Sequence, residues 1–365
     1  MKRPGARILA LWAAALLTVI AFAAAQAARN DQVHRETLYV FGTLVEIEIR
    51  GEQRDTALTA TAAVGQVLQQ LHRDWHAWRP GALNDLNAAI ARGEAHAVDP
   101  RLAGILHEAR RLSCESGGLF DPAIGALVAL WGFHADTPPQ GAPPSPESVA
   151  ALVAARPRIT DLHLDGTDIR SANPAVQLDL GGFAKGAALD LAAAELRARG
   201  IDNAVLNAGG DVNVLGTHGR RPWRVAIRDP FVWGAVAALS LRPGEVLYTS
   251  GNYERYFEHE GERFAHIIDP RTGYPVREIV SVSVLDTDGA RADAAATALA
   301  VAGRADWARV AAAMGVSAVL MITDTGELLV TQAMLDRLDP AGEGFPDKVM
   351  VVDLPDAAPN PACDG

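Results

Sequence analysis

The spacing of apolar and polar residues predicts strands and helices that follow one another through most of the chain. Period-two alternation predicts a strand over residues 39–49, while apolar positions three and four apart predict helices over 56–72 and 102–116. Residues 135–146 are rich in proline and predict a surface loop. Beyond this loop, strands and helices alternate to residue 330. The pattern predicts an α/β to α+β fold, with a mixed sheet and flanking helices in one large domain of two lobes.

A glycine turn before a predicted helix is the first candidate site. Residues 176–180 alternate like a strand, break at Gly181 and Gly182, and continue as an apolar-periodic helix that stops at Gly200. The free N–H groups at such a helix start, together with Lys185 in the first turn, form a favourable environment for an anion such as a pyrophosphate. The alternative is an ordinary strand-to-helix turn with a surface lysine.

Asp293 and Thr297 form the second candidate site. They stand four residues apart in an alanine-rich segment and would therefore share one face of a helix. Carboxylate and hydroxyl oxygens suit Mg²⁺, which keeps several waters and commonly sits beside substrate phosphates. The alternative is a core helix in which Asp293 is a charge favoured by the helix N-terminus.

Residues 266–275 predict a strand, a sharp turn and a second strand. Asp269 and Pro270 occupy positions that they favour in a type I turn, which Gly273 would close. A rigid turn could position His266 as a general base, because neutral imidazole is available near pH 7. The alternative is a well-formed hairpin turn with a structural histidine.

Residues 205–215 predict two strands around Asn207, Gly209, Gly210 and Asp211. The glycines would let the backbone approach a ligand, or would simply make a hairpin.

The N-terminus has the pattern of a secretory signal. Three cations within the first seven residues precede apolar residues 8–25 and a run of small residues that ends at Ala28. A signal peptide over residues 1–27 predicts export to the periplasm, and an uncleaved single-span anchor in the inner membrane is the competing interpretation.

Composition and charge narrow the class of protein. A chain of 365 residues that is 49% hydrophobic can bury a sizeable core, and a formal charge of −11 argues against a nucleic-acid partner. Cys114 and Cys363 lack the spacing of a zinc or redox motif, and a disulfide between them stays open. Residues 353–365 are rich in proline and aspartate and predict a disordered tail.

Taken in order, these motifs resemble the ApbE family of FAD:protein FMN transferases, from about residue 39 to about residue 331. The resemblance implies a T-fold-related architecture and a transferase domain over residues 37–335. The matching segments are residues 42–43, 118–122, 131–133, 179–186, 207–211, 226–230, 249–253, 266–275 and 292–299.

The resemblance implies a specific reaction. FAD would bind with Mg²⁺ at its pyrophosphate, and FMN would pass to a Ser or Thr hydroxyl of an exported acceptor flavoprotein, such as a respiratory membrane subunit, with release of AMP. His266 falls where a general base has been suggested in the family. By position, the residues that would hold Mg²⁺ are Gly182, through its backbone carbonyl, Asp293 and Thr297. Those that would contact FAD are Phe41, Trp78, Leu119, Phe120, Asp121, Asp179, Lys185 and Ile267.

The sequence departs from the family pattern at three places near the cofactor. Phe41 stands where Met is frequent and Trp78 where Tyr is frequent, and both exchanges preserve an apolar or stacking surface. In the loop over residues 81–87, residues 81–83 replace a usual Asp-Ser-Glu stretch, and the loop is one residue shorter before Asn87. This loop could alter FAD affinity or favour simple FAD hydrolysis over transfer. Two alternative functions therefore stay open, a Mg²⁺-dependent FAD pyrophosphatase and a flavin-binding protein without chemistry.

Overall fold

A computed structural model describes residues 32–135, 137, 139–340 and 349–356. The predicted signal peptide, most of the predicted tail and Cys363 lie outside this range, whereas Cys114 is disulfide-bonded. Across the described ranges, no helix combines the length and apolar character needed to span a membrane.

Helices and strands alternate along the described residues. The helices are α1 (Arg54–Asp74), α2 (Ala82–Ala91), α3 (Pro100–Glu115), α4 (Gly125–Leu130), α5 (Pro146–Ala154), α6 (Ala184–Ala198), α7 (Gly289–Ala313) and α8 (Gln332–Leu335). The strands are β1 (Val33–Val40), β2 (Thr43–Arg50), β3 (His96–Ala97), β4 (Leu162–Asp165), β5 (Asp168–Ser171), β6 (Ala204–Ala208), β7 (Asp211–Leu215), β8 (Trp223–Arg228), β9 (Ala235–Leu241), β10 (Val246–Gly251), β11 (Tyr256–His259), β12 (Glu262–Ala265), β13 (Ile279–Asp286), β14 (Ala318–Thr323), β15 (Leu328–Val330), β16 (Leu338–Pro340) and β17 (Val349–Val351).

A nine-stranded sheet organises the fold, in the order β1-β2-β6-β7-β10-β13-β14-β15-β17. Neighbouring strands are antiparallel except β15 and β17, which are parallel, so the predicted mixed sheet is confirmed. Three smaller sheets accompany it: β16-β9-β8, β3-β5-β4 and the hairpin β11-β12.

The central strands of the large sheet are buried on both faces, which explains their long apolar runs. Along β14, Val319 and Met321 pack in the core formed with the helices, whereas Leu320 and Ile322 pack in a second core. The second core includes apolar side chains of β8 and β9, so the small sheet covers the face opposite the helices.

The predicted strand over residues 39–49 is wrong, because it is two strands joined by a tight turn. Phe41 and Gly42 take φ values of +53° and +73°, and Val40 pairs with Thr43. Two consecutive positive φ values reverse the chain within two residues. The alternating pattern continues through the turn, and so it conceals the reversal.

The predicted strand over residues 176–180 is also wrong. Gln177 forms a single bridge with Ile124, while the Asn87 side chain donates to the Leu178 carbonyl at 2.9 Å and accepts from the Leu178 N–H at 2.7 Å. An amide side chain can satisfy a backbone donor and acceptor together, so this extended segment needs no neighbouring strand at Leu178. The helix after it is confirmed as α6, and Gly200 follows its end with φ +77°.

The segment predicted as an altered loop, residues 81–87, is mostly helical. Gly81 precedes α2, which begins at Ala82. A Cβ on Gly81 would lie 2.2 Å from the Arg73 carbonyl oxygen, so the chain passes too close to α1 for a larger residue.

The predicted turn within residues 266–275 is present, but the strands around it are reduced to one bridge. The Gly273 N–H donates to the Asp269 carbonyl at 2.8 Å, and Ile268 bridges Pro275. The Trp131 indole N–H donates to the Gly273 carbonyl at 2.8 Å. The hydrogen bond from Trp131 therefore stabilises the turn in place of the predicted flanking strands. The other predicted hairpin, over 205–215, is confirmed as β6 and β7.

Helices α6 and α7 approach so closely that Gly186 has no room for a side chain. A Cβ there would lie 2.1 Å from the Gly289 carbonyl oxygen and 2.9 Å from the Asp293 Cβ. We therefore expect Gly186→Ala to lower the free energy of unfolding by about 3 kcal/mol, because backbone must move to relieve the overlap. Urea denaturation measures this change.

Gly104 on α3 is the matched control for this prediction. It has no atom within 4 Å of the added Cβ and no positive φ, so Gly104→Ala should keep or raise stability. Equal stability of the two variants would contradict the close packing of α6 on α7.

Candidate functional site

The first part of the site lies where the glycine turn before α6 meets the side of α7. Thr297 Oγ1 donates to the Gly182 carbonyl at 3.3 Å, and Asp293 Oδ2 accepts from the Gly186 N–H at 2.9 Å. Ser250 Oγ lies 3.2 Å from Thr297 Oγ1 and adds a hydroxyl that the sequence did not single out. The structure therefore brings the three predicted metal ligands, Gly182, Asp293 and Thr297, into one place.

Asp293 is buried in this arrangement. Burial raises the pKa of the Asp293 carboxyl to about 8, although the positive charge of Lys185 acts in the opposite direction. A buried carboxylate is stable when a cation compensates its charge. A hard cation bound by carboxylate, hydroxyl and carbonyl oxygens fits this donor set. Across the described ranges, no group of three or more His, Cys, Asp or Glu side chains could hold a metal ion. Asp293 is the one carboxylate among the three predicted ligands.

Lys185 supplies the fixed positive charge of the site. Its Nζ donates to Asp211 Oδ2, and Asp211 Oδ1 accepts from the Thr249 N–H at 2.9 Å. Burial alone would lower the pKa of Lys185, but Asp211 and Asp293 raise it above its ordinary value. Lys185 is therefore an ammonium at the N-terminal end of α6. It is held in place by Asp211, a buried carboxylate for which the sequence predicted no specific role.

Asp179 is held from two sides. Its Oδ1 accepts from the Gly181 N–H at 2.7 Å, and its Oδ2 accepts from His134 Nε2 at 2.8 Å. Burial alone would raise the pKa of Asp179, but the hydrogen bond and charge of His134 hold it below its ordinary value. Sequence reasoning missed His134, because its partner is 45 residues away and no local spacing connects them.

His134 also ends a row of aromatic and histidine rings that contains Phe41 and Trp78. Trp78 stacks on His134 with ring centroids 4.7 Å apart, and His76 meets Trp78 edge-on at 4.4 Å. His72 connects His76 to Phe41 through contacts of 5.4 and 5.5 Å. Phe41 and Trp78 are partly buried, so the row offers flat ring surface against which a planar ligand could stack.

Phe120 packs against the glycine turn, between Leu119 and Asp121 in the chain. Leu119 and Phe120 are buried, and the Phe120 ring lies 3.3 Å from the position that a Cβ on Gly182 would take. Asp121 Oδ1 accepts from the backbone N–H groups of Ala123 and Ile159, at 3.0 Å each. Burial raises the pKa of Asp121 to about 6. The structure thus gives Asp121 a role in holding the backbone that supports the turn.

His266 contacts Arg255 and lies close enough to Lys185 and Asp179 for their charges to affect its pKa. Its Nδ1 is 3.2 Å from the Arg255 carbonyl, which can only accept a hydrogen bond, so neutral His266 carries its proton on Nδ1 and leaves Nε2 as an acceptor. Burial lowers the pKa of His266 to about 4, and Arg255 and Lys185 act in the same direction. His266 is therefore neutral at physiological pH.

Two neighbours fix the position of His266. Arg255 donates to the carbonyls of Phe133 and Ala135 at 3.1 and 2.8 Å, which ties the segment before His266 to the chain before the proline-rich loop. Ile267 is buried, and its carbonyl accepts from the Val276 N–H at 2.9 Å.

Comparison with known proteins gives a consistent result. A family model described as the ApbE family matches residues 41–320. The chain is 61% identical over 328 residues to a FAD:protein FMN transferase of Rhodobacter capsulatus, covering 90% of this chain and 62% of that protein. It therefore spans less than two thirds of that relative.

Solved structures show the same fold. An ApbE protein from Thermotoga maritima superposes with a TM-score of 0.77 at 28% identity, covering 84% of this chain and 99% of that one. The flavin transferase ApbE from Vibrio cholerae gives a TM-score of 0.72 at 28% identity, covering 84% of this chain and all of that one.

Proposed function

Because the chain belongs to the ApbE family, we propose that it is a FAD:protein FMN transferase that moves FMN from FAD to a Ser or Thr hydroxyl of an acceptor protein and releases AMP. One observation carries the proposal. An ammonium, a helix N-terminus and a set of three oxygen ligands converge at the glycine turn before α6, while a neutral imidazole faces the same region.

We propose that Gly182, Asp293 and Thr297 hold Mg²⁺. The buried carboxylate and the two neutral oxygens support this assignment, because they give a donor set suited to a hard cation beside phosphate. When bound, the ion would neutralise charge on the pyrophosphate oxygens of FAD.

The residues of the chain then have distinct tasks. Lys185 and the positive end of the α6 helix dipole stabilise negative charge on the pyrophosphate. The partly buried rings of Phe41 and Trp78 provide stacking surface for the ring systems of FAD. Asp179, fixed by His134, contacts the FAD at the turn.

The proposed transfer is a single substitution at phosphorus. The acceptor oxygen forms a bond to the phosphorus of the FMN part, and the pyrophosphate bond breaks so that AMP leaves with that electron pair. His266 Nε2 takes the hydroxyl proton, since Nδ1 is already occupied by the hydrogen bond to Arg255.

We also propose that the enzyme works outside the cytoplasm, on an exported acceptor such as a respiratory membrane subunit. The cationic and apolar pattern of the first 28 residues supports this placement.

Flavin transfer to a defined acceptor tests the proposed function. We expect the protein, incubated with FAD, Mg²⁺ and a flavin-free exported flavin-carrier domain, to yield a carrier band that fluoresces on a denaturing gel. EDTA should abolish the band, and AMP should form in equal amount. Steady release of FMN and AMP without a labelled carrier would contradict transfer and support the pyrophosphatase. Bound FAD that stays unconverted would support a flavin-binding protein.

A further inference from the structure

The loop between β8 and β9, residues 229–234, exposes a cluster of large apolar side chains. Phe231, Val232 and Trp233 are 54%, 65% and 97% exposed. We call this segment the Trp233 loop. Leaving a tryptophan in water forfeits the stabilisation that its burial would give, and clustered exposed apolar residues commonly mark an interaction site.

Hydrogen bonds and packing order this loop. Asp229 Oδ1 accepts from the N–H groups of Phe231 and Val232 at 2.8 and 3.2 Å, and the Asp229 N–H donates to the Gly234 carbonyl at 3.1 Å. The Phe231 ring lies 3.9 Å from the position that a Cβ on Gly326 would take, so it borders the turn between β14 and β15. Trp233 is therefore presented to solvent by an ordered support.

Arg228, the residue before the Trp233 loop, is linked to the candidate active site through Tyr253 and Glu254. Strand β8 ends at Arg228, whose guanidinium lies over the Tyr253 ring at 5.4 Å. The charges of Arg228, Lys185 and Asp211 all affect the pKa of Glu254, the residue after Tyr253. One arginine thus connects the base of the loop to the lysine of the site.

We propose that the Trp233 loop is the docking surface for the acceptor protein, and that Trp233 inserts into an apolar pocket of that protein when the acceptor hydroxyl enters the site. This inference rests on the proposed function, in which a second protein must approach this site. Tryptophan is among the residues that contribute most to protein interfaces. An anionic membrane is a poorer partner, because the loop with Arg228 carries one cation and one anion, and the chain carries −11.

Kinetics with Trp233→Ala test this assignment, with the flavin-free carrier domain as the probe. We expect the KM for the carrier to rise at least about tenfold, while kcat at saturating carrier and the Kd for FAD stay within about twofold of wild type. Direct titration of the carrier should show the same loss of affinity. Trp233→Phe should restore most of it, because an aromatic anchor remains. Leu58→Ala, which removes an exposed apolar side chain from α1, should change none of these values.

Several outcomes would overturn the docking role. One is a carrier KM and Kd for Trp233→Ala that both stay close to the wild-type values. In the other two outcomes, Trp233→Ala leaves the carrier Kd unchanged. In one of them the variant no longer binds phosphatidylethanolamine–phosphatidylglycerol vesicles, and in the other it loses a dimer that the wild type forms in analytical ultracentrifugation. These would assign the loop to a membrane or to a second copy.

The direct titration separates this inference from the proposed function. A wild-type protein that labels no carrier would contradict transfer. If Trp233→Ala still lowers carrier affinity by the expected factor, docking stands without transfer.

Discussion

Replacing Asp293 with asparagine should abolish Mg²⁺-dependent flavin transfer while leaving the fold intact. Asparagine keeps the oxygen that accepts from the Gly186 N–H but cannot become an anion. A site that has lost its carboxylate should lose several kcal/mol of charge stabilisation, so we expect kcat/KM to fall by about 1,000-fold or more. Initial rates of carrier labelling over a Mg²⁺ titration measure the effect.

The pH dependence of stability provides a second measurement on the same variant. The pKa of Asp293 is raised to about 8 from an ordinary value of 3.8, so between these pH values the folded protein keeps a proton that the unfolded chain releases. This group therefore makes the cation-free wild type lose stability as pH rises from about 4 to about 8. The substituted asparagine does not titrate, so the Asp293→Asn variant should gain stability relative to wild type over that range.

Asp306, a more exposed carboxylate beyond the kink at Gly303 in α7, is the control. Asp306→Asn should change neither transfer nor Mg²⁺ dependence, because it lies away from the turn and contacts Arg309. Full activity of Asp293→Asn at ordinary Mg²⁺ concentrations would contradict the metal assignment.

Replacing His266 with alanine should slow flavin transfer about 100-fold to 10,000-fold, the usual contribution of a general base. The Kd for FAD should change far less, since the imidazole acts on the acceptor hydroxyl. Single-turnover rates and FAD titration measure the two quantities separately. Equal losses in both would indicate a structural histidine.

The pH profile of the wild type checks the same residue. Because the pKa of His266 is lowered to about 4, the rate of transfer should stay independent of His266 protonation down to about pH 5. Stability should fall as pH drops from 6.5 toward about 4, because His266 takes up a proton in the unfolded chain but stays neutral in the folded protein. His266→Ala should lack this contribution, and His259→Ala, at a more exposed position on β11, should retain it.

Local signals in the sequence were enough to predict the helices that carry the site. Gly200 stops α6 where expected. The four-residue spacing of Asp293 and Thr297 places both on the side of α7 that contacts residues 182–186. Period and capping act over a few residues, so one sequence suffices to find them. The mixed sheet and the family were likewise predicted correctly.

Features that depend on distant partners could not be predicted in the same way. His134 pairs with Asp179 across 45 residues, and the Asn87 side chain replaces a neighbouring strand across 91 residues. Neither pair leaves a periodic trace, because only the folded chain brings its members together. The turn at Phe41 was missed for another reason: a phenylalanine with positive φ breaks no hydrophobic alternation.

The pairing of Lys185 with Asp211 has a consequence for the order in which ligands bind. Lys185 pairs with Asp211, so the charges of these two side chains largely offset each other before a ligand binds. A pyrophosphate that enters alone would be repelled by the negative charge of Asp211. A cation that enters alone would be repelled by the positive charge of Lys185. Each ligand supplies the charge that the other lacks, so their affinities should be linked reciprocally. The site should then bind the FAD–Mg²⁺ complex more tightly than it binds FAD or Mg²⁺ alone.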